Sequence, residues 1–163
     1  HRVPMISGQS AGYIAAALNA YKTGDRKHPT MRGIADSLSE QDINDLSAYY
    51  EASGKTEPVA AEPSKAPSAR VQALLNKAAC ISCHGANFSK PVDANTPKLG
   101  GQHADYLFVA LKQYKASNDK VGRSNPIMAG FAKQYTEAEL KEMSNYIGSL
   151  KGELKTVPES RFR

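Results

Sequence analysis

Apolar residues recur along this chain at the spacing of a helix surface. Ile14, Ala17, Leu18 and Tyr21 stand at i, i+3, i+4 and i+7, and Leu107, Ala110, Leu111 and Tyr114 repeat that spacing. Such a set forms one stripe, so both segments are predicted to be amphipathic helices. A later segment opens with Thr136-Glu137-Ala138-Glu139. In that pattern a hydroxyl and a carboxylate satisfy each other's backbone donors at a helix start. Its apolar face is Leu140, Met143, Ile147 and Leu150, and the corresponding earlier stretch runs from Ser39-Glu40-Gln41-Asp42 to Ile43, Leu46 and Tyr50. Val71, Leu74, Leu75 and Ala78 mark one more helix, from near Ser68 into Cys80. No convincing period-two alternation occurs, and the fold class expected is all-α.

The helical segments are two copies of one pattern. Pro4-Met5-Ile6-Ser7-Gly8-Gln9 matches Pro97-Lys98-Leu99-Gly100-Gly101-Gln102 at an offset of 93, as Tyr13 matches Tyr106 and Tyr21 matches Tyr114. Beyond a loop the offset becomes 97: Met31-x-Gly33 matches Met128-x-Gly130, Ser39-Glu40 matches Thr136-Glu137, and Tyr49 matches Tyr146. The second copy therefore holds four extra residues between Ser117 and Pro126. Repetition on this scale indicates duplication of a small domain. Between the copies, Ser53 to Ser68 reads SGKTEPVAAEPSKAPS. With three prolines and almost no bulky apolar residue, it is expected to be an extended, semi-rigid linker. The predicted organisation is a first domain at 1–52, a linker at 53–68, a second domain at 69–155 and a tail at 156–163.

Composition adds a constraint. Apolar residues make up 40% of the 163 residues, aromatics 7%, and there is no Trp. That is thin for two separate small cores, so a buried cofactor is expected to supply apolar mass. The net charge of +5 is scattered, without a run of five Lys or Arg, so no nucleic-acid partner is indicated. No apolar stretch is long enough to cross a membrane as a helix. The sequence begins at His1 with no initiator Met and no leader-like stretch. It is expected to be processed, clipped or seen only in part.

Both cysteines lie in Cys80-Ile81-Ser82-Cys83-His84. Two thiols at this spacing near a helix end can each add to a vinyl group of a haem, and the adjacent His is then carried to the iron. A thioredoxin-like dithiol would need a strand before it. A zinc site would need further paired ligands, and His1, His28 and His103 offer none. A disulfide across two residues would be strained. Covalent haem c is the expectation. On the other face of the iron a Met thioether suits electron transfer. Met128 is the candidate: it follows Asn125-Pro126-Ile127, lies 44 residues after His84, and has Met31 as its counterpart in the first copy. Met5 has no such counterpart, and Met143 sits on a helical face. Pro97 is expected to accept from the free ring nitrogen of His84, and Leu99, Tyr114, Ile127 and Phe131 to wall the haem. His28 and His103 are expected to be exposed rather than ligating.

The order Cys-x-x-Cys-His-Gly, Pro-Lys-Leu-Gly-Gly-Gln, Tyr-Leu, Leu-x-x-Tyr-Lys, Pro-x-Met and a final Tyr-bearing helix resembles a class I cytochrome c domain. Its doubling across a Pro/Ala linker resembles the dihaem bacterial cytochrome c4 family, over nearly the whole chain. The resemblance implies two tandem cytochrome c-like helical domains, with terminal helices crossing near one haem edge. It implies iron ligation by His84 and Met128, and by Met31 at a first haem. It places the protein in the periplasm, soluble or peripherally associated with the membrane, passing electrons from a quinol-oxidising complex towards a terminal oxidase.

One departure is large. The first copy has no Cys-x-x-Cys-His, and Pro4 is preceded by three residues where Cys80 lies 17 before Pro97. The first domain is thus expected to be incomplete at its N-terminus, with a second haem near Met31 if the missing segment exists. The alternative is a one-haem protein with a degenerate first half. The function expected is that of a one-electron carrier, not an enzyme. The rivals are a dihaem peroxidase, which would need an iron without a fixed Met, and the electron-accepting subunit of a dehydrogenase or sulfur-compound-oxidising complex. Lys90, Lys98, Lys112 and Lys115 either steer acidic redox partners or form a solvated surface.

Overall fold

The computed structural model describes residues 2–54, 62–116 and 122–156. Part of the linker (55–61), the end of the tail (157–163) and part of the loop holding the extra residues (117–121) lie outside that set. The described residues form helices α1 (Ala11–Thr23), α2 (Pro29–Asp36), α3 (Glu40–Ser53), α4 (Ala69–Lys77), α5 (Ile81–His84), α6 (Ala104–Lys115), α7 (Pro126–Ala132) and α8 (Glu137–Ser149). A 3-10 turn at Ala86–Phe88 follows α5.

The repeat in sequence is a repeat in space. In the first half α1 packs on α2 and α3; in the second, α6 packs on α7 and α8. Corresponding helices start in the same way. Ser39 and Thr136 cap α3 and α8, each in a reciprocal box with the acid three residues on. α2 and α7 each begin with Pro at the first helical position, where a missing N–H costs nothing. Before those prolines, His28 Nδ1 accepts from Met31 N at 3.3 Å and Asn125 Oδ1 accepts from Met128 N at 3.0 Å. His28 is therefore a helix cap rather than a loop residue.

The box carboxylates titrate with the fold. The hydroxyl and N–H of Ser39 hold Asp42 below the ordinary carboxylate range, and the N–H and hydroxyl of Thr136 do the same for Glu139. A folded-state value that is depressed contributes stability above the unfolded value and loses it as pH falls through the folded one. Acid is thus expected to loosen the starts of α3 and α8 at pH values below the ordinary carboxylate range. Far-UV circular dichroism during acid titration should show this, and Asp42→Asn with Glu139→Gln should flatten it; an unaltered profile would contradict it.

The second half has the larger core. Val71 and Leu75 of α4 pack with Leu107 of α6 and with Leu140, Met143 and Ile147 of α8, so Met143 is a packing residue. The first half buries only Ile14, Ala35 and Ile43 among its described apolar side chains. Ser64 Oγ accepts from Lys151 N at 2.8 Å and Lys65 O from Tyr146 Oη at 3.0 Å, so the end of the predicted linker is fastened to the second half.

The halves meet in a junction with two-fold character. Gln9 and Gln102, each 3% exposed, occupy equivalent positions. Gln9 accepts from Lys98 N at 2.9 Å and donates to Lys98 O at 3.0 Å. Gln102 accepts from Met5 N at 3.0 Å and donates to Met5 O at 2.8 Å. Met5 and Lys98 are themselves equivalent. A second reciprocal pair joins Lys27 N to Gly122 O at 3.2 Å and Ser124 N to Asp25 O at 2.6 Å. Gln102→Leu would leave both Met5 backbone groups without their partner at a half-buried site, which costs about 2 kcal/mol. Urea denaturation is expected to show the loss as a lowered midpoint; an unchanged midpoint would contradict this role for the clasp.

Candidate haem site

The helix predicted to run from Ser68 into Cys80 is broken. α4 starts at the Ser68 cap as expected, ends at Lys77, and the backbone turns at Ala79, whose φ is 48. α5 then carries Cys83 and His84 in a single turn, with Cys80 at its start. Asn87 and Phe88 also have positive φ, 53 and 55. A non-glycine residue in the left-handed region costs of order 1 kcal/mol. Three of them round one short loop indicate a conformation imposed by its surroundings.

Gly85, directly after His84, is required by that loop. Its φ is 71, and an added Cβ would lie 1.6 Å from Lys90 O. Beyond it Val92 N donates to Cys83 O at 3.0 Å, folding the segment back on α5. Asp93 Oδ1 then accepts from both Asn95 N and Thr96 N at 2.8 Å, which sets the turn into Pro97.

At the end of that turn the Pro97 carbonyl lies 2.9 Å from His84 Nδ1. A carbonyl accepts only, so the proton is on Nδ1 and Nε2 keeps its lone pair. His84 is 7% exposed, and burial, opposed by the Pro97 bond and by Asp93, lowers its proton affinity. The imidazole is thus neutral at neutral pH and ready to ligate a metal. No disulfide joins the two cysteines. Burial pushes the Cys80 thiol up to about 11. A thioredoxin-type dithiol depends on a lowered value at the attacking sulfur, and Cys80 shows the reverse.

Of the other residues singled out from the sequence, Leu99 is half-buried and packs with Cys80 against the core of the second half. Met128 and Phe131 are half-buried on α7, and Ile127 is 65% exposed. Tyr114 is half-buried on α6 with the Arg123 guanidinium 5.4 Å above its ring. Met31, half-buried on α2, belongs to the other half of the molecule. Cys80, His84, Pro97 and Leu99 are gathered at one place; Met31 is not among them.

A charged cluster at the junction has no local signature in the sequence. Arg26 and Arg123 are 9% and 6% exposed and face each other across an isolated antiparallel bridge. Arg26 Nη1 donates to Tyr13 Oη at 3.3 Å and Nη2 to Tyr106 Oη at 2.6 Å; Arg123 Nη2 reaches the same Tyr106 oxygen at 3.1 Å. Burial pushes the Tyr106 phenol up, but the two guanidinium charges outweigh it and hold it below its usual value. A signal was present: Arg26 and Arg123 are equivalent at the offset of 97 that relates the two Met residues.

The residues present fit a haem. Two thiols flank one helical turn, a neutral imidazole has one nitrogen pinned and one left for iron, and the Tyr135 hydroxyl and Arg26 Nε are buried without a protein partner among the described residues. This set defines a c-type cytochrome. The cytochrome c family model matches residues 68–151. Cytochrome c4 of Thiocapsa roseopersicina is 31% identical over 153 residues, which cover 90% of this chain and 78% of that protein. A solved cytochrome c4 structure from Acidithiobacillus ferrooxidans superposes with a TM-score of 0.70 at 26% identity, covering 91% of this chain and 88% of that one. A thiosulfate dehydrogenase electron acceptor of Stutzerimonas stutzeri is 27% identical over 154 residues, 90% of this chain and 70% of that protein. The chain belongs to the cytochrome c family and, within it, to the cytochrome c4 group. It has the all-α, two-domain fold of that group, carries haem c covalently at Cys80 and Cys83, and is an electron carrier.

Proposed function

We propose that the chain is a one-electron carrier whose haem iron is held between His84 Nε2 and the Met128 thioether. The observation that carries the reading is the 2.9 Å contact from the Pro97 carbonyl to His84 Nδ1, which sets the tautomer and the ring direction. The haem, when bound, supplies a ferric/ferrous couple. The chain does the rest: Cys80 and Cys83 anchor the ring, Pro97 orients the imidazole, and the Asn125 cap and Pro126 hold α7 so that Met128 is presented from a rigid turn. Leu99, Tyr114, Ile127 and Phe131 exclude water from the ring faces. Held by both His84 and Met128, the group would supply electron transfer and would offer no place for a substrate.

Met31 is the proposed ligand of a second haem in the first half, since α2 repeats the capped, Pro-started turn of α7. The units proposed to carry the two haems are 1–52 and 69–155, with 53–68 between them. The proposed setting is the periplasm, with a quinol-oxidising complex as donor and a terminal oxidase as acceptor. The likeness to a thiosulfate dehydrogenase electron acceptor supports a second reading, in which the donor is a dehydrogenase of sulfur compounds.

Carbon monoxide tests the closed iron. The reduced holoprotein is expected to keep its visible spectrum under the gas. A carbon monoxide adduct formed at neutral pH would assign an open iron, and with it an enzyme.

A further inference from the structure

The two-fold character of the junction fails at one place. In the first copy the start of α1 is closed. Ala11 N donates to Glu51 Oε1 at 2.9 Å. Ala94 of the second half lies directly on Gly12, where an added Cβ would stand 2.9 Å from the Ala94 oxygen. Ser10 Oγ donates to that same oxygen at 2.7 Å. At the start of α6 these features are exchanged. Ala11 corresponds to Ala104 and Gly12 to Asp105 at the offset of 93, and Glu51 corresponds to Gly148 at the offset of 97. Ala104 N has no acceptor among the described residues. Asp105, standing where the first copy has a glycine, reaches the first half through its side chain: Oδ2 accepts from Arg2 N at 2.8 Å.

The exchange leaves a cleft of about 580 Å³, lined by Arg2 of the first half and by His103, Ala104, Phe108, Lys141 and Gly148 of the second. That volume lies in the range of small-molecule sites. The free N–H at a helix start favours an anion, and the other copy says which kind, because there the equivalent N–H binds a carboxylate. Position 148 cannot supply one. An added Cβ would lie 3.0 Å from Ala104 N and 2.8 Å from Gln102 O. Asp105, the acid in the lining, already accepts from Arg2 N and from Tyr106 N. Arg2 and Lys141 bring two positive charges, and neither forms an ion pair among the described residues. The half-buried Phe108 ring adds an apolar wall.

We propose that this cleft is a binding site for a small organic carboxylate. Ala104 N receives the carboxylate, as Ala11 N receives that of Glu51, and Arg2 and Lys141 offset its charge. The apolar body of the ligand lies against Phe108. Touching Arg2 on one side and α6 and α8 on the other, the ligand bridges the two halves. The site is independent of the haem assignment, since no residue of the Cys80–His84 segment lines it.

The test is titration of the isotope-labelled, reduced, full-length holoprotein with sodium benzoate at fixed ionic strength, followed by backbone amide shifts. The amides of Ala104 and Gly148 are expected to move and saturate, and those of Ala11 and Glu51 to stay in place. Arg2→Gln combined with Lys141→Gln is expected to weaken benzoate binding about tenfold, the loss of charge-assisted contacts, with far-UV helicity unchanged. Asn145→Glu, on the α8 face that lines the cleft, puts a tethered carboxylate where the first copy has Glu51. It is expected to abolish the benzoate shifts and raise the melting midpoint. Amides of Ala104 and Gly148 that do not respond, or an unchanged benzoate affinity in both variants, would overturn the proposal. An equal, saturating response to sodium chloride would overturn the carboxylate assignment. A response to a glutamate-rich peptide without one to benzoate would assign the cleft to an acidic segment of another protein, and so overturn the small-molecule reading.

Discussion

Met128→Ala is expected to remove the second-half haem's share of the Met–iron absorbance band while leaving that haem covalently bound. The two thioether bonds and His84 do not depend on α7, so haem content should be unchanged. The place that Met128 would fill is then open to water or a weaker ligand. A thioether favours the ferrous state, and its loss is expected to lower the potential by roughly 0.2 V, well inside the ~0.8 V that axial ligation spans. The reduced variant should also bind carbon monoxide. An undiminished band in Met128→Ala, with its decrease in Met143→Ala or Met5→Ala, would assign the ligand elsewhere. Met143, on α8, is 4% exposed and packed in the core of the second half, so its substitution is expected to lower stability and leave the band in place.

Replacing both Cys80 and Cys83 by alanine is expected to have the largest effect on stability. Acidified solvent should then extract all the haem belonging to the second half, where none is extracted from the unaltered protein. The cofactor is held only by its ligands in that variant, and weakened binding lowers stability by mass action. A loss of about 4 kcal/mol corresponds to a fall of roughly 20 °C in the melting midpoint of a domain this size. The strained turns at Ala79, Asn87 and Phe88 are expected to relax first, since they rely on what they enclose. Haem that resisted extraction from the double variant would contradict attachment at these thiols.

Much of this architecture is legible in the chain. The i, i+3, i+4, i+7 stripes locate α1 and α6, and the acid three residues after Ser39 and Thr136 locates the starts of α3 and α8. Those signals are local, resting on side chains within one or two turns of one another. α5 and the break at Ala79 are not legible, because a helix-favouring Ala there adopts positive φ only under the demands of the loop around Cys80 and His84. α2 and α7 are short, and they read as loops until His28-Pro29 and Asn125-Pro126 are recognised as cap and first helical residue. Pro97 is legible because a ligating imidazole needs an acceptor on its far nitrogen.

The junction is the part least legible in the chain. Gln9 and Gln102 stood out as matching positions, but nothing local says that each amide would bind the backbone of the other copy. Nothing local marks Arg26 and Arg123 for burial either. Their burial follows from the meeting of two copies, a contact between residues 97 apart in sequence. The matching offset was the available clue: a charged residue kept at equivalent positions in both copies marks either a shared site on each domain or a contact between them.

The central claim is a His/Met-ligated haem that cycles one electron without changing its ligands. Spectroelectrochemical titration of the holoprotein, followed at the Met–iron band and the main haem bands, tests it most directly. The account predicts a reversible one-electron wave for the second-half haem, with its ferric Met–iron band vanishing on reduction and returning in full on reoxidation. An oxidised spectrum without that band, or an iron that takes up an external ligand as it is reduced, would contradict it.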